Sequence, residues 1–251
     1  MDEAGFVIDA HCHMEMYSDP GAVLSKSNGN GILAVITSGW SLESSIASAE
    51  LVKINGIFAT IGVGPEHTLS ESGIADLVNK LQAMAKSSKK VIGIGEIGLD
   101  AKAIDSIGIA EQEALLTAQL ELAQHLGLPA VIHCRGMLER LLQILYDTGT
   151  NKAMFHFFSG NEEDAKKLEK KGYLISIPPI ESSRLRRVIK TAATESLVAE
   201  TDAPVVGKEP SDAVTVVKRI ASLKSKSFEE TGLITTQTIK DYFGIIFKEG
   251  P

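Results

Sequence analysis

Short apolar runs rich in valine, isoleucine and alanine recur along the whole chain, each ended by glycine or a polar turn residue and separated by segments of helical period. Runs without apolar-polar alternation mark strands buried on both faces, as in parallel sheets. Eight are present: Phe6–Ala10, Ile32–Thr37, Ile57–Gly62, Val91–Gly95, Pro129–His133, Ala153–His156, Tyr173–Ile177 and Leu197–Glu200. Between them the 3.6-residue period marks helices over Leu42–Ile54, Ile74–Ala85, Glu111–Leu126, Met137–Tyr146, Glu162–Lys171 and Leu185–Ala193. Eight strand-helix units in unbroken alternation predict an α/β fold of the closed (β/α)8 TIM-barrel type. A doubly wound open sheet usually has fewer strands and a glycine-rich first turn, which is absent here. No Ser/Gly/Pro-rich linker, low-complexity segment or repeat longer than the unit itself interrupts the pattern. The 251 residues are therefore expected to form a single domain. The last helical segment, Thr236–Phe247, carries an apolar face of Ile239, Tyr242, Phe243, Ile246 and Phe247, expected to cover the barrel wall.

The charge balance argues against one mode of binding. With 25 Lys+Arg against 32 Asp+Glu and a net charge of −7, a broad surface that holds nucleic acid by general electrostatics is not expected, though a local basic patch remains compatible. Cys12 and Cys134 are too few for a disulfide framework, which favours a reducing, cytoplasmic setting. The opening MDEAGFVIDA is acidic instead of basic, and no apolar stretch approaches the ~20 residues needed to cross a bilayer. Neither a membrane nor an obligate protein partner is expected.

In a barrel of this type, chemistry sits at the C-terminal ends of the strands. His11 and His13 follow the first strand, and in extended backbone residues i and i+2 point the same way while Cys12 points the other. Glu96 follows the fourth strand, His133 closes the fifth, His156 closes the sixth and Asp202 follows the eighth. A lone strand-end histidine is usually a hydrogen-bonded rim residue; six nitrogen and oxygen donors on one rim point instead to a metal site. Imidazole and carboxylate donors suit Zn2+, Mn2+, Ni2+, Fe2+ or Mg2+, and the lack of a thiolate set argues against a structural zinc. Six donors exceed the needs of one ion, so two divalent metal ions bridged by Glu96 and a hydroxide are expected. Asp202 is the candidate general base, with Glu96 as its catalytic partner.

Five blocks in order carry a family resemblance: IDAHCH (8–13), GEIGLD (95–100), LPAVIHCR (128–135), FHFFSG (155–160) and ETDAP (200–204). In them the chain resembles the TatD family of metal-dependent nucleases within the amidohydrolase-like barrels. The resemblance implies His11, His13 and Asp202 on one ion, His133 and His156 on the other, and Glu96 between them. It also implies a nucleic-acid or other phosphodiester substrate. Two departures stand out. Where the family reads G-x-H-P, with a histidine facing substrate phosphate, this chain reads GVGPEH with Gly64 in that place; either Glu66 or His67 takes over, or the role is lost. Of the family's R-x-E-P-x-N tail only Glu209 and Pro210 survive.

For substrate contacts the candidates are Arg135, directly after His133, the basic group Arg184, Arg186 and Arg187 opening the helix after the seventh strand, and His67. Each arginine of that group is read equally as a phosphate clamp or a solvated helix face. Trp40 either stacks a base or packs. Asp9 orients a ligand or is one; Asp100 caps a loop; His125 sits near a helix C-terminus, where its charge favours the dipole. The function that follows is a divalent-metal-dependent phosphodiesterase, a deoxyribonuclease of exonuclease type. The alternatives are a cyclic amidase, lactonase or phosphotriesterase on the same barrel, whose bridging lysine is replaced here by Glu96, and a non-catalytic barrel that only holds metal.

Overall fold

In the computed structural model, which describes residues 6–247, eight parallel strands lie in chain order, β1 beside β2 through to β8. They are β1 (Val7–Cys12), β2 (Ile32–Ser38), β3 (Ile57–Ile61), β4 (Val91–Asp100), β5 (Ala130–Arg135), β6 (Ala153–Phe155), β7 (Leu174–Ile177) and β8 (Leu197–Ala199). The helices are α1 (Pro20–Asn28), α2 (Leu42–Leu51), α3 (Glu71–Ser87), α4 (Ile109–Leu126), α5 (Leu138–Asp147), α6 (Glu162–Lys170), α7 (Ser183–Thr191), α8 (Asp212–Lys224) and α9 (Phe228–Phe243). This is the (β/α)8 barrel expected. The acidic residues 1–5 of the opening stretch lie outside the described residues.

Local chemistry starts and stops the helices where the barrel needs them. Asp19 caps α1 and Pro20 occupies its first turn, while Ser41 with Ser44 and Asn161 with Asp164 form reciprocal caps on α2 and α6. Gly127 and Gly244 end α4 and α9 in the left-handed conformation. Two helices escape sequence reading. The PGAVLSKSN run of α1 has a weak helical pattern, and α8, DAVTVVKRIASLK, is rich in β-branched residues that read as strand. Burial of Ala213, Val216, Val217 and Ile220 fixes α8 as a helix, with tertiary packing overriding propensity.

Two corrections concern length and place. Strand β4 runs on to Asp100 instead of ending at Gly95, so Glu96 lies within the strand and not after it. Its glycines hide it from propensity, yet the strand needs them: a Cβ at Gly95 would lie 2.5 Å from the Val131 Cβ, and one at Gly98 would lie 1.8 Å from the His133 carbonyl oxygen. This close approach sets Glu96 beside His133. The last helix begins at Phe228, well before Thr236, and it closes the end of the barrel where strands start. The Tyr242 hydroxyl bonds both the amide and the carbonyl of Ala153 (2.8 and 3.0 Å), and the Thr236 hydroxyl donates to the Phe6 carbonyl (2.6 Å). Ile239, Phe243 and Ile245 there join the cluster formed by Ile8, Ile36, Ile92, Val131, Met154 and Val198. The other core lies between the strands and the surrounding helices. With its floor filled, the barrel has one open mouth for a site, at the C-terminal ends of the strands.

Candidate metal centre

Strands β1 and β8 meet at that mouth through the turn after β8. The Thr201 and Asp202 amides donate to the His11 carbonyl (3.3 and 2.9 Å), and the His13 amide donates to the Ala203 carbonyl (2.7 Å). The buried Asp9 carboxylate fastens the same junction, accepting from the amides of His11 and Thr201 (3.3 and 3.0 Å) and from the Thr201 hydroxyl (2.5 Å). Its oxygens are committed to the turn. Asp202 itself has φ 51°, a left-handed conformation that aspartate tolerates better than most residues. Its Oδ1 lies 3.1 Å from His13 Nε2 and 3.6 Å from His11 Nε2.

Glu96 faces three imidazoles drawn from three strands or their ends. Its Oε1 is 2.9 Å from His156 Nε2 and 3.0 Å from His133 Nδ1, and its Oε2 is 3.5 Å from His11 Nε2. The His11 and His156 rings stack at 4.1 Å. Behind the rings stands a further set of polar groups. His13 Nδ1 donates to the Ser38 carbonyl (2.9 Å) and lies 3.4 Å from Glu15 Oε1. His133 Nε2 donates to Asp100 Oδ2 (3.1 Å), and His156 Nδ1 is 4.0 Å from Glu200 Oε1. Such outer partners fix which ring nitrogen turns inward.

The charges follow from this packing. Burial, reinforced by neighbouring His156, pushes the His11 pKa down to about 4, so its ring is neutral at pH 7. Burial also opposes charge on Glu96, but His156, His11 and His133 outweigh it and hold the carboxyl well below its ordinary range. In return Glu96 lifts His156, against burial, to about 9, and raises His133. Asp202 and Glu15 likewise overcome burial to raise His13, while Asp202 is lowered, His13 outweighing burial there. Burial pushes Glu200 up to about 7.

These residues fit divalent cations. Donor atoms of His11, His13 and Glu96 lie within 4.8 Å of one another, as do those of Glu96, His133 and His156, and those of His11, His156 and Asp202. Both ring nitrogens of His11 are buried without a hydrogen-bond partner, an arrangement that costs free energy unless something fills it. No thiolate competes: Cys12 Sγ turns to the Ile36 carbonyl, and burial pushes the Cys134 thiol up to about 11.

Above the cluster opens a cavity of about 600 Å3 lined by His13, Glu96, His133, His156 and Asp202 at its base and by Met16, Trp40, Glu66, Arg135, Val205 and Val206 around it. Trp40, Met16, Val205 and Val206 are exposed there. Of the groups proposed to replace the side chain missing at Gly64, Glu66 reaches the cavity; His67 sits behind Trp40, ring centroids 5.9 Å apart, and does not line it. Arg135 lies at the wall, its Nη1 3.9 Å from Asp100 Oδ2. Arg184 lines an adjoining cavity of about 600 Å3 that shares Cys134, His156 and Ser159 with the first, and donates to the Ser159 carbonyl (3.3 Å). Arg186, turned to another side of α7, stands 3.9 Å from Glu181 and lines neither cavity, and Arg187 donates to Glu162 (2.5 Å). Glu209 pairs with Lys26. His125 occupies the last turn of α4.

Three contributors went unread in the sequence: Glu15, Glu200 and the orienting role of Asp100, which also accepts from the Lys102 amide (2.7 Å) as a loop cap. The signal for Asp100 was its even spacing from Glu96 along extended backbone. For Glu200 it was an acidic residue ending an apolar run two places before Asp202.

The family model described as TatD related DNase matches residues 8–244. A protein of Methanocaldococcus jannaschii described as an uncharacterized metal-dependent hydrolase is 30% identical over 89% of this chain and 91% of its own length. The human deoxyribonuclease TATDN3 is 28% identical over 94% of each chain. A protein of Cronobacter sakazakii named 3'-5' ssDNA/RNA exonuclease TatD is 32% identical over 74% of this chain and 72% of its own. Among solved structures, YjjV, a TatD homologue of Escherichia coli K12, superposes with a TM-score of 0.86 at 25% identity, covering 96% of this chain and 99% of that one. With the match running nearly end to end and the histidine, glutamate and aspartate blocks gathered at one barrel mouth, the chain belongs to the TatD-related DNase family.

Proposed function

We propose that this protein is a two-cation phosphodiesterase that shortens single-stranded DNA or RNA from an end. The observation that carries this reading is the Glu96 carboxylate facing His11, His133 and His156 at the base of an open cavity with an exposed tryptophan at its rim. His11, His13 and Asp202 would hold one ion and His133 and His156 the other, with Glu96 common to both. Bound there, divalent cations supply Lewis-acid charge to a phosphoryl group and make water more acidic. Asp202, held below the usual carboxylate range, is unprotonated at neutral pH and serves as acceptor of the proton from the attacking water. Arg135 offers its guanidinium to phosphate oxygens, and the exposed face of Trp40 offers a stacking surface that tolerates any base. The relative named a 3'-5' single-strand exonuclease supports attack from the 3' end. The cation is one of Zn2+, Mn2+, Ni2+ or Mg2+, the chain works as one domain, and two free cysteines suit the cytoplasm. Among the described residues no helix is long and apolar enough to cross a membrane.

The test is to strip the protein with chelator, restore each metal singly and follow an end-labelled single-stranded oligonucleotide, with Asp202→Ala as control. Stepwise shortening restored by metal and lost in the variant is the expected result. Protein shown to hold two ions yet unable to cut any strand would overturn the reading and turn attention to carbonyl esters and amides.

A further inference from the structure

Glu66 brings a carboxylate into the substrate cavity that nothing there holds in a hydrogen bond or ion pair among the described residues. It is exposed and lines the cavity, and among the described residues it has neither a hydrogen bond nor an ion pair. A Glu66 oxygen lies within 4.8 Å of a ring nitrogen of His133 and a carboxylate oxygen of Asp100. Asp100 is buried and engaged by His133 and the Lys102 amide, and the nearby guanidinium of Arg135 stands by Asp100. Glu66 is therefore the member of that wall whose oxygens are not committed to a partner. Gly64 makes room for it: a Cβ there would lie 2.9 Å from Glu66 Oε2. Charge is also spread unevenly over the barrel mouth. Glu66 follows β3 and lines the cavity over the cluster, while Arg184 follows β7 and lines the adjoining one, and in an eight-stranded ring taken in chain order these positions are opposite each other. Phosphates of an incoming strand are favoured beside the guanidinium groups of Arg135 and Arg184 and disfavoured directly at the Glu66 carboxylate.

We propose that Glu66 is a strand-end selector, accepting a hydrogen bond from a sugar hydroxyl of the terminal nucleotide and repelling a terminal phosphate. An ionised carboxylate only accepts hydrogen bonds, which a hydroxyl can donate, whereas a phosphate monoester brings a charge of about −1.5 to −2 at pH 7. The inference rests on the phosphodiesterase reading above and adds to it which strand ends are substrates: those finished by hydroxyl, as left by hydrolysis that places phosphate on the other fragment.

The experiment uses metal-loaded protein and single-stranded oligonucleotides identical except for hydroxyl or phosphate at the 3' end, and a second pair differing at the 5' end. Initial rates are measured, along with binding of phosphorothioate versions that resist cleavage. The wild type is expected to prefer the hydroxyl end by about ten-fold or more at low salt, less at high salt, and Glu66→Gln to reduce that preference to about two-fold. Gly64→Ala, which displaces the carboxylate, should narrow it as well. Equal handling of both ends by the wild type, or a preference unchanged in Glu66→Gln, would overturn the proposal while leaving phosphodiester cleavage intact. Failure to cut or bind any strand would overturn the phosphodiesterase reading and this inference together, whereas binding without cutting still reads the preference through the phosphorothioate pairs.

Discussion

The Glu96 carboxylate and the His156 imidazole stand 2.9 Å apart beneath the cavity, and each sets the charge of the other: Glu96 is held ionised and His156 is lifted to about 9. Without metal, protons on the imidazoles neutralise this carboxylate. Glu96→Gln removes the common charge, so the variant should bind fewer ions per chain and lose about a hundred-fold or more in rate. Metal analysis of the dialysed variant checks the first point, and two ions retained at full occupancy would rule out a shared ligand.

The same coupling gives a pH dependence. A histidine whose folded pKa is raised adds stability that is complete below its unfolded value of about 6.5 and is lost as pH rises through the folded value. His156 places that loss between pH 6.5 and 9, and His133 and His13 shift in the same direction. Chelated protein should therefore show a Tm that falls from pH 7 to 9. Divalent cation, replacing the protons, should raise Tm more at pH 9 than at pH 7. Thermal melts with and without metal across this range would reveal it, and a constant difference would show that ions and protons do not compete.

Asp100 acts on His133 from behind, through the nitrogen turned away from Glu96. Asp100→Asn should keep the fold and weaken metal affinity by about 10–100-fold, the usual cost of losing an outer partner. Competition with a fluorescent chelator measures this directly.

Trp40 presents its exposed face at the cavity rim. Trp40→Ala should weaken single-strand binding by ~1–3 kcal/mol, seen as a higher KM with a smaller change in kcat. An unchanged KM would return the indole to packing against His67.

Phe243 plugs the barrel floor far from the cavity. Phe243→Ala should cost ~3–5 kcal/mol of stability, read by denaturant unfolding, while metal stoichiometry of the folded protein stays as it was.

The sequence carries the site more openly than it carries some of the fold. His11, His13, Glu96, His133, His156 and Asp202 all sit in or beside buried apolar strands, whose spacing brings them to one mouth. Propensity places Glu96 past its strand because Gly93, Gly95 and Gly98 suppress strand signal, although packing against β5 requires just such small residues. Helix α8 is hidden from sequence pattern because valine and isoleucine signal strand until a barrel wall is there to bury them. The roles of Glu15, Glu200 and Asp100 depend on which imidazole each one meets, and that is a property of the closed ring. Arg186 is separated from Arg184 by helical rotation, which composition alone does not convey.

The junction of β1 with the turn after β8 has a consequence for how the protein is made. His11 and His13 leave the ribosome early, but Asp202 and the Thr201 amide that secures Asp9 arrive only after the last strand. A chain halted partway holds most of the donors and no finished centre. The donor set is thus complete only once the first strand and the turn after the last have met, and a chain ending before that turn lacks the Asp202 carboxylate however well the rest packs.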